Sequence, residues 1–275
     1  MKEIYRAKEP FVFTIFGASG DLAQLKIFPA LFALVEQKRL PQDYYYVGYS
    51  RTEMTHEEFR NKFEASVRKY YKGTWGDYQE EILKECLTHV YYLAGQYTET
   101  ESYEAYRKFR DEITEGREVV QLYYFSVPPS VFAPIVKEVA GIRNKGEDVR
   151  LIVEKPFGDD EKSARKLFHE MVQYFDESDI YLLDHYLGKK PVQSILAMRH
   201  ANRILNMMLR GKEIANIQIS ALETVGVGKR IGYFDESGTI KDMVQSHLLQ
   251  LLALMTMAIP IQKDAENIQK EKAAI

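Results

Sequence analysis

The sequence is poor in cysteine, since Cys86 is the only one among 275 residues. A single cysteine excludes an internal disulfide framework and any metal site built from several cysteines. Long apolar runs are also missing, because none approaches the roughly 20 residues that a membrane-spanning helix needs. The first ten residues, MKEIYRAKEP, carry scattered charges and lack the apolar stretch of a secretory signal. We therefore expect a cytoplasmic protein that is neither secreted nor inserted in a membrane.

Neither sign of charge dominates. Lys and Arg together number 37 against 40 Asp and Glu, which gives a net charge of −3 at pH 7. Such a balance supplies no global field that would gather nucleic acid or anionic lipid, so any anionic ligand needs a local site. Hydrophobic residues make up 45% of the chain. That share is enough for a buried core and excludes a chain that is disordered as a whole.

Short apolar runs alternate with longer segments of helical period along the first two thirds of the chain. This alternation is typical of βα units that form a parallel sheet. The predicted strands are rich in Val, Ile, Tyr and Phe and cover residues 11–16, 44–49, 89–94, 119–126, 149–154 and 179–183. We therefore predict the α/β fold class, with a Rossmann-like doubly wound parallel sheet in a first domain at 1–183.

A second, partial domain is predicted at 184–275, because the regular alternation stops after the sixth strand. A long helix from Pro191 to Leu209 leads to one alternating strand, NIQISALET, at 216–224, and the pattern from Thr239 onward is helical and apolar. A single strand cannot form a stable sheet. We therefore expect this domain to be incomplete here, without the partner strands that would finish its sheet.

A glycine turn follows the first predicted strand directly, in the order Gly17-Ala-Ser-Gly20-Asp-Leu. Glycine lets the backbone approach a pyrophosphate, whose charge is met by the N–H groups at a helix N-terminus. The spacing is G-x-x-G rather than the full G-x-G-x-x-G, and such a turn taken alone is more often only a turn. Its position in the first βαβ unit favours a dinucleotide site.

The second predicted strand ends in Gly48-Tyr-Ser-Arg51, without the Asp or Glu that usually accepts the ribose 2′-hydroxyl in an NAD site. The Arg51 guanidinium can bind a 2′-phosphate through two hydrogen bonds, and Ser50 can add another. This favours NADP over NAD as the cofactor. The alternative is an ordinary exposed arginine after a strand.

Two further strand ends carry charged side chains. In Glu154-Lys155-Pro-Phe-Gly158 the charged pair follows an apolar strand, at the edge where open α/β sheets bind ligands. The segment Asp184-His-Tyr-Leu-Gly-Lys-Lys190 then brings an acid, an imidazole, a phenol and two ammonium groups together. A phosphate site with a buried acid is the functional interpretation of this segment, and an exposed polar loop is the alternative.

Four segments resemble the signatures of the glucose-6-phosphate dehydrogenase family. They are GASGDLA (17–23), EKPFG (154–158), DHYLGK (184–189) and RIGYFDESGTIKDMVQSHLLQ (230–250). The similarity extends from about Pro10 to Ile275. The resemblance implies an enzyme that oxidises D-glucose 6-phosphate at C1 to 6-phosphoglucono-1,5-lactone by hydride transfer to NADP, the first step of the oxidative pentose phosphate pathway.

The resemblance also implies a general base and its partner. His247, in QSHLLQ, would take the proton from the sugar C1 hydroxyl, and Asp184 would be its partner. A neutral imidazole can accept this proton as hydride leaves C1, while the carboxylate fixes the tautomer and stabilises the imidazolium. No metal is required. Without the family, a histidine in an apolar helix is more often a packing residue than a catalyst.

The binding residues that the resemblance implies fall into two sets. The substrate set has phosphate contacts, sugar hydroxyl contacts and a lysine between substrate and nicotinamide, and its members are His185, Tyr186, Lys189, Glu223, Asp242 and Lys155. The cofactor set covers the pyrophosphate, the 2′-phosphate and the nicotinamide side, and its members are Gly17, Ala18, Ser19, Gly20, Asp21, Leu22, Lys26, Arg51 and Lys155, with Gln96 and Tyr97 as further candidates from the strand end AGQY.

The sequence departs from the usual family pattern at two places and in its length. Gln24 and Leu25 stand before Lys26 where relatives often have basic residues, and Lys190 replaces the usual Glu after LGK. Family members generally run well beyond 275 residues, complete a large, mostly antiparallel sheet, and form dimers or tetramers. The resemblance therefore implies the beginning of an α+β domain with a largely antiparallel sheet, and a homodimer or homotetramer for the full-length form.

Two alternatives to the dehydrogenase remain open from the sequence. One is a catalytically incomplete NADP-binding fragment of that enzyme, in which the first domain binds the cofactor without turnover. The other is a related sugar-phosphate dehydrogenase that acts on another sugar or uses NAD. A steady-state activity assay separates the first alternative from the enzyme, and exchange of NADP for NAD tests the second.

Overall fold

All six predicted strands form, and they make one parallel sheet. Their bounds are Phe11–Phe16 (β1), Tyr44–Ser50 (β2), Val90–Ala94 (β3), Val120–Phe125 (β4), Val149–Glu154 (β5) and Ile180–Leu183 (β6). The strands pair in the order β3-β2-β1-β4-β5-β6. In this order the winding reverses between β1 and β4, which opens a crevice at the carboxyl ends of these two strands. The Rossmann-like α/β fold class is therefore confirmed.

The structure, a computed structural model, describes residues 6–158, 160–209, 211–222, 226, 234–235, 238–262 and 264–275. The density of contacts along the chain separates two units, Met1–Leu183 and Asp184–Ile275. Within the described ranges, no helix is long and apolar enough to cross a membrane.

Helices connect the strands of the first unit. They are Phe28–Glu36 (α1), His56–Tyr70 (α2), Asp77–Thr88 (α3), Thr100–Ile113 (α4), Phe132–Ile142 (α5) and Glu161–Met171 (α6), with a π-helical turn at Ala23–Ile27 that leads into α1. A capping box begins α2, because the Glu58 amide donates to the Thr55 hydroxyl and the Thr55 amide donates to the Glu58 carboxylate. Asp160 caps α6 by accepting from the Ser163 amide at 2.7 Å.

Two apolar clusters cover the two faces of the sheet. One face packs on α4, α5 and α6, where Phe16 packs against Tyr103 and lies in the same cluster as Ile135. The other face packs on α1, α2 and α3, where Ile15 and Phe28 lie in the same cluster. Because both faces are buried, the strands are fixed and the groups at their carboxyl ends are held in place.

Within the described ranges, the regular elements of the second unit are helices. Its helices are Lys190–Ala201 (α7), Arg203–Met208 (α8), the π-helical segment Ile240–Leu248, Leu249–Thr256 (α9) and Ala265–Ala273 (α10). The prediction of one long helix from Pro191 to Leu209 is wrong at its middle. Asn202 interrupts the helix and caps α8, because its side-chain oxygen accepts from the Leu205 amide at 3.0 Å.

Arg199, on α7, forms hydrogen bonds with the end of α9. Its guanidinium donates to the carbonyl oxygens of Leu254 at 2.7 Å and Met257 at 2.8 Å. The side chain is buried, and burial lowers the pKa of its guanidinium. Because α9 continues directly from the π-helical segment, this contact also fixes that segment within the unit.

The strand predicted at 216–224 is wrong over 216–222, where the described backbone is irregular. Residues 223–224 lie outside the described residues. A strand needs a hydrogen-bonded neighbour, and no segment of the described part of this unit pairs with 216–222. The alternation of apolar and polar residues in NIQISALET therefore indicates that successive side chains point to opposite faces. This pattern does not by itself produce a sheet.

Candidate dinucleotide and acid–base sites

The predicted glycine turn lies at the carboxyl end of β1. Gly17 has a φ of +84°, and a Cβ at this position would come 2.2 Å from the carbonyl oxygen of Ser126, just after β4. The Gly17 amide donates to the Tyr49 carbonyl at 2.9 Å, and the Gly20 amide donates to the Gly17 carbonyl at 3.0 Å. Only glycine allows this close approach of the turn to both neighbouring strands.

The residues after Gly17 differ in exposure. Ala18 is buried, Ser19 is half-buried, and the exposed members are Gly20, Asp21, Leu22 and Lys26. The helix that follows begins without a side-chain cap, an arrangement in which N-terminal amides can bind a phosphate. Gln24, which stands where the family often has a basic residue, donates from its side chain to the Ser19 carbonyl at 3.1 Å. This contact supports the turn without adding charge.

The end of β2 places Arg51 beside an aromatic ring. The Arg51 side chain is exposed, and its guanidinium carbon lies 5.6 Å from the centroid of the Tyr97 ring. Ser50 is only 2% exposed, and its hydroxyl is hydrogen bonded to that of Tyr92 at 2.7 Å. We conclude that Ser50 belongs to the packing under this edge, whereas Arg51 is accessible to an anionic ligand.

No pattern in the sequence indicated a contact between the first two strand ends. The Thr52 hydroxyl donates to the Ser19 hydroxyl at 3.3 Å, so the glycine turn and the residues around Arg51 form one continuous edge. Along this edge lie the turn at Gly17, where an added Cβ would clash, the start of the following helix, and Arg51. These features fit a phosphorylated dinucleotide.

The third strand end carries the predicted candidates Gln96 and Tyr97. Gln96 is exposed, and its carbonyl accepts from the Tyr49 hydroxyl at 3.0 Å. Tyr97 is 8% exposed, and its ring packs edge-on against the ring of Phe16, just before Gly17, with centroids 6.3 Å apart. The structure therefore places Tyr97 beside the residue that leads into the glycine turn and beside Arg51.

Lys155 follows β5 at the same carboxyl edge and is half-buried. Just before it, the Glu154 carboxylate accepts a hydrogen bond from the Tyr124 hydroxyl. Burial, and then this hydrogen bond, raise the pKa of Tyr124, so the phenol keeps its proton and remains the donor. Gly158, with a φ of +78°, closes the loop where a Cβ would come 2.4 Å from the Ala164 amide nitrogen. Sequence reasoning missed this contact, because Tyr124 and Glu154 are 30 positions apart and lie on different strands.

In the second unit, His247 and Asp184 form a close pair. Nδ1 of His247 lies 2.7 Å from Oδ1 of Asp184, and both side chains are 6% exposed. The Tyr186 amide donates to the same oxygen at 2.9 Å. Because a carboxylate only accepts, Nδ1 is the ring nitrogen that donates, and the lone pair of the neutral imidazole is on Nε2. The pair therefore has the geometry of an oriented general base.

The predicted phosphate residues surround this pair. The Tyr186 ring stacks on the His247 ring with centroids 4.2 Å apart and planes 18° apart, and the His185 ring approaches it edge-on at 4.6 Å. The ammonium of Lys189 lies 3.4 Å from the centroid of the Tyr186 ring. His185 and Lys189 are exposed, whereas Tyr186 is buried. The structure thus places two accessible cationic or polar groups beside the Asp184–His247 pair.

Asp242 and Glu223 are the two remaining residues of the predicted substrate set in this unit. Asp242 is half-buried and lies on the same π-helical segment as His247, five residues before it. Glu223 lies outside the described residues. Across the described ranges, no group of three or more His, Cys, Asp or Glu side chains could hold a metal ion.

Two family models match the chain. The one described as "Glucose-6-phosphate dehydrogenase, NAD binding domain" matches residues 14–194. The one described as "Glucose-6-phosphate dehydrogenase, C-terminal domain" matches residues 196–275. Together they cover nearly all of the sequence.

Curated proteins give the same result. The chain is 39% identical over 278 residues to the chloroplastic glucose-6-phosphate 1-dehydrogenase 1 of Arabidopsis thaliana, covering 100% of this chain and 47% of the relative. It is 41% identical over 272 residues to glucose-6-phosphate 1-dehydrogenase of Aspergillus niger, covering 98% and 52%. The chain spans about half the length of the curated relatives it matches.

Solved structures are similar over nearly the whole chain. One is described as glucose-6-phosphate dehydrogenase in complex with its substrate glucose-6-phosphate, with a TM-score of 0.90 and 36% identity over 98% of this chain and 56% of that one. Another is glucose-6-phosphate 1-dehydrogenase from Mycobacterium avium, with a TM-score of 0.86 and 31% identity over 98% and 57%.

Proposed function

Because the chain belongs to the glucose-6-phosphate dehydrogenase family, we propose that it oxidises D-glucose 6-phosphate at C1 to 6-phosphoglucono-1,5-lactone, with hydride transfer to NADP. The observation that carries this proposal is the buried pair of Asp184 and His247, with 2.7 Å between Oδ1 and Nδ1. Such a pair is what proton removal from a sugar hydroxyl requires. The proposal includes a cytoplasmic location, the oxidative pentose phosphate pathway, and a homodimer or homotetramer of the full-length form.

NADP, when bound, supplies the carbon that accepts the hydride. This chain's residues bind and orient it. The glycine turn with its helix start accommodates the pyrophosphate, and Arg51 binds the 2′-phosphate. The residues we assign to this site are Gly17, Ala18, Ser19, Gly20, Asp21, Leu22, Lys26, Arg51, Gln96, Tyr97 and Lys155.

The proton of the C1 hydroxyl goes to Nε2 of His247. As hydride leaves C1, the hydroxyl oxygen becomes the carbonyl oxygen of the lactone and its proton must be taken up. Asp184 holds Nδ1 as the donor and stabilises the imidazolium that forms. The proton then leaves to solvent before the next cycle.

The sugar phosphate is assigned to the polar groups near this pair. The Lys189 ammonium and the His185 ring are exposed and supply the charge and hydrogen bonds that a phosphate needs. Tyr186 completes this set. Asp242 and Glu223 accept hydrogen bonds from the sugar hydroxyls, and Lys155 contacts both substrate and cofactor. These roles rest on the family resemblance.

Formation of NADPH tests the proposal. The chain is mixed with glucose 6-phosphate and NADP, and NADPH is followed by its absorbance, with galactose 6-phosphate as the alternative sugar. Turnover that requires glucose 6-phosphate supports the proposal, and faster turnover of the other sugar contradicts the substrate assignment. NADP binding without turnover supports the second candidate, a catalytically incomplete NADP-binding fragment. The observation that favours this candidate is that the chain spans about half the length of its relatives.

Cofactor preference tests the role of Arg51. We expect Arg51→Ala to weaken NADP binding by about 10- to 100-fold and NAD binding only slightly, because loss of one charged hydrogen-bonding group costs about 1.5–3 kcal/mol. Isothermal titration with each cofactor measures both affinities. Arg117→Ala is the matched control, because Arg117 is also exposed and pairs with Asp43 before β2, at the opposite edge of the sheet. Equal losses for both cofactors would remove Arg51 from the 2′-phosphate site.

A further inference from the structure

Tyr97 is an unusual loop residue. It follows β3 at the carboxyl edge of the sheet, where loop side chains are normally exposed, yet it is only 8% exposed. Its ring lies 5.6 Å from the Arg51 guanidinium, and its centroid lies 6.3 Å from that of the Phe16 ring, just before Gly17. One side chain therefore lies beside both the residue that leads into the glycine turn and the cation of the proposed cofactor site.

The loop is built to hold Tyr97 in this place. The Tyr103 hydroxyl, on α4, donates to the Tyr97 carbonyl at 3.1 Å, and the Tyr49 hydroxyl donates to the Gln96 carbonyl at 3.0 Å. A Cβ at Gly95 would come 2.2 Å from the Tyr49 hydroxyl oxygen. These contacts hold the backbone of residues 95–97 and restrict the positions that the Tyr97 ring can take.

The contact with the ring restricts Arg51. An exposed arginine has many rotamers, and it binds a phosphate through two hydrogen bonds only when its guanidinium plane is correctly placed. The face of an aromatic ring attracts a guanidinium and favours the rotamers that stack on it. Burial raises the pKa of Tyr97, although the charge of Arg51 opposes this effect, so the ring faces Arg51 as a neutral phenol.

We propose that Tyr97 is a positioning residue that sets the preference for NADP over NAD by holding the Arg51 guanidinium where the 2′-phosphate binds. This inference rests on the proposed function, because it concerns the same cofactor site. Two residues then recognise the 2′-phosphate: Arg51 carries the charge, and Tyr97 directs its guanidinium. The ring, rather than the hydroxyl, is the part of Tyr97 that acts on Arg51.

Equilibrium binding to the whole chain tests this role. The probes are NADP, NAD and adenosine 2′-monophosphate, and the variants are Tyr97→Leu, which removes the ring, and Tyr97→Phe, which keeps it. We expect Tyr97→Leu to weaken NADP and adenosine 2′-monophosphate by about 2- to 5-fold, the effect of a cation–π contact at an exposed site, and to leave NAD nearly unchanged. Tyr97→Phe should retain the wild-type ratio of NADP to NAD affinity.

Tyr91→Leu is a matched control. The Arg60 guanidinium carbon also lies 5.6 Å from the centroid of the Tyr91 ring, but Arg60 donates to the Val90 carbonyl at the beginning of β3. The control therefore removes the same kind of contact outside the cofactor site, and we expect an unchanged ratio. Tyr97→Met fills similar space without an aromatic face and replaces Tyr97→Leu if circular dichroism shows that variant to be unfolded.

The outcomes separate this inference from the proposed function. Wild-type chain that binds neither NADP nor adenosine 2′-monophosphate contradicts the cofactor site itself. If the wild-type chain binds but Tyr97→Leu loses NADP and NAD affinity equally, only the positioning role is overturned. The same conclusion follows if Tyr97→Phe lowers the ratio of NADP to NAD affinity as much as Tyr97→Leu does. In an Arg51→Ala background, Tyr97→Leu should cause no further loss of selectivity, because the group that it positions is gone.

Discussion

Replacement of His247 by asparagine should lower kcat for glucose 6-phosphate by about 10²- to 10⁴-fold, the usual contribution of a general base. Asparagine is similar in size and polarity but has no lone pair that can accept the C1 hydroxyl proton. The Michaelis constant should change little, because proton transfer occurs only in the transition state. Steady-state kinetics measure both constants, and a separate titration should show unchanged NADP affinity.

Asp184→Asn should produce a loss in the same range. Oδ1 of Asp184 accepts from both His247 Nδ1 and the Tyr186 amide, so an amide group here keeps the Tyr186 contact only if its oxygen remains in place. It no longer stabilises an imidazolium, and it favours the wrong tautomer if it flips. His169→Asn is the control, since His169 is exposed on α6. Turnover retained by His247→Asn would mean that the base is elsewhere.

The centre of the sheet was predictable from the sequence because β1 and β2 are buried along nearly their whole length. A strand covered on both faces reads as a nearly continuous run of apolar and aromatic residues, and FVFTIF and YYYVGY are such runs. Glycine at position 17 was a further local signal, since the turn it makes requires a positive φ. These features depend on residues that are neighbours in the chain, so a pattern along the sequence reports them directly.

Contacts between distant residues were less accessible. Asp184 and His247 are 63 positions apart, and only the family resemblance paired them before the structure gave their distance. The stacking of Tyr186 on His247 and the hydrogen bond from Tyr124 to the Glu154 carboxylate had no signal in residue spacing. The predicted strand is absent over 216–222 for the same reason, because alternation indicates which side chains share a face and carries no information about a partner strand.

Gly17→Ala should destabilise the first unit and remove most of its NADP affinity. The new Cβ would meet the Ser126 carbonyl oxygen at 2.2 Å, and the φ of +84° is unfavourable for alanine. Left-handed backbone costs about 1–2 kcal/mol for a residue with a Cβ, and a forced shift of packed groups adds about 1–3 kcal/mol. We expect the free energy of unfolding to fall by about 2–5 kcal/mol, measured by urea denaturation.

Gly146→Ala isolates the backbone contribution to this effect. Gly146 has the same φ of +84°, but a Cβ there would meet no atom within 4 Å. This variant should lose only about 1–2 kcal/mol and keep wild-type NADP affinity. In urea-free buffer, the Gly17→Ala chain that remains folded should bind NADP at least about 100-fold more weakly, because movement of the turn displaces the amides that approach the pyrophosphate. Equal NADP affinity in the two variants would show that the turn at Gly17 is structural and that the pyrophosphate binds elsewhere.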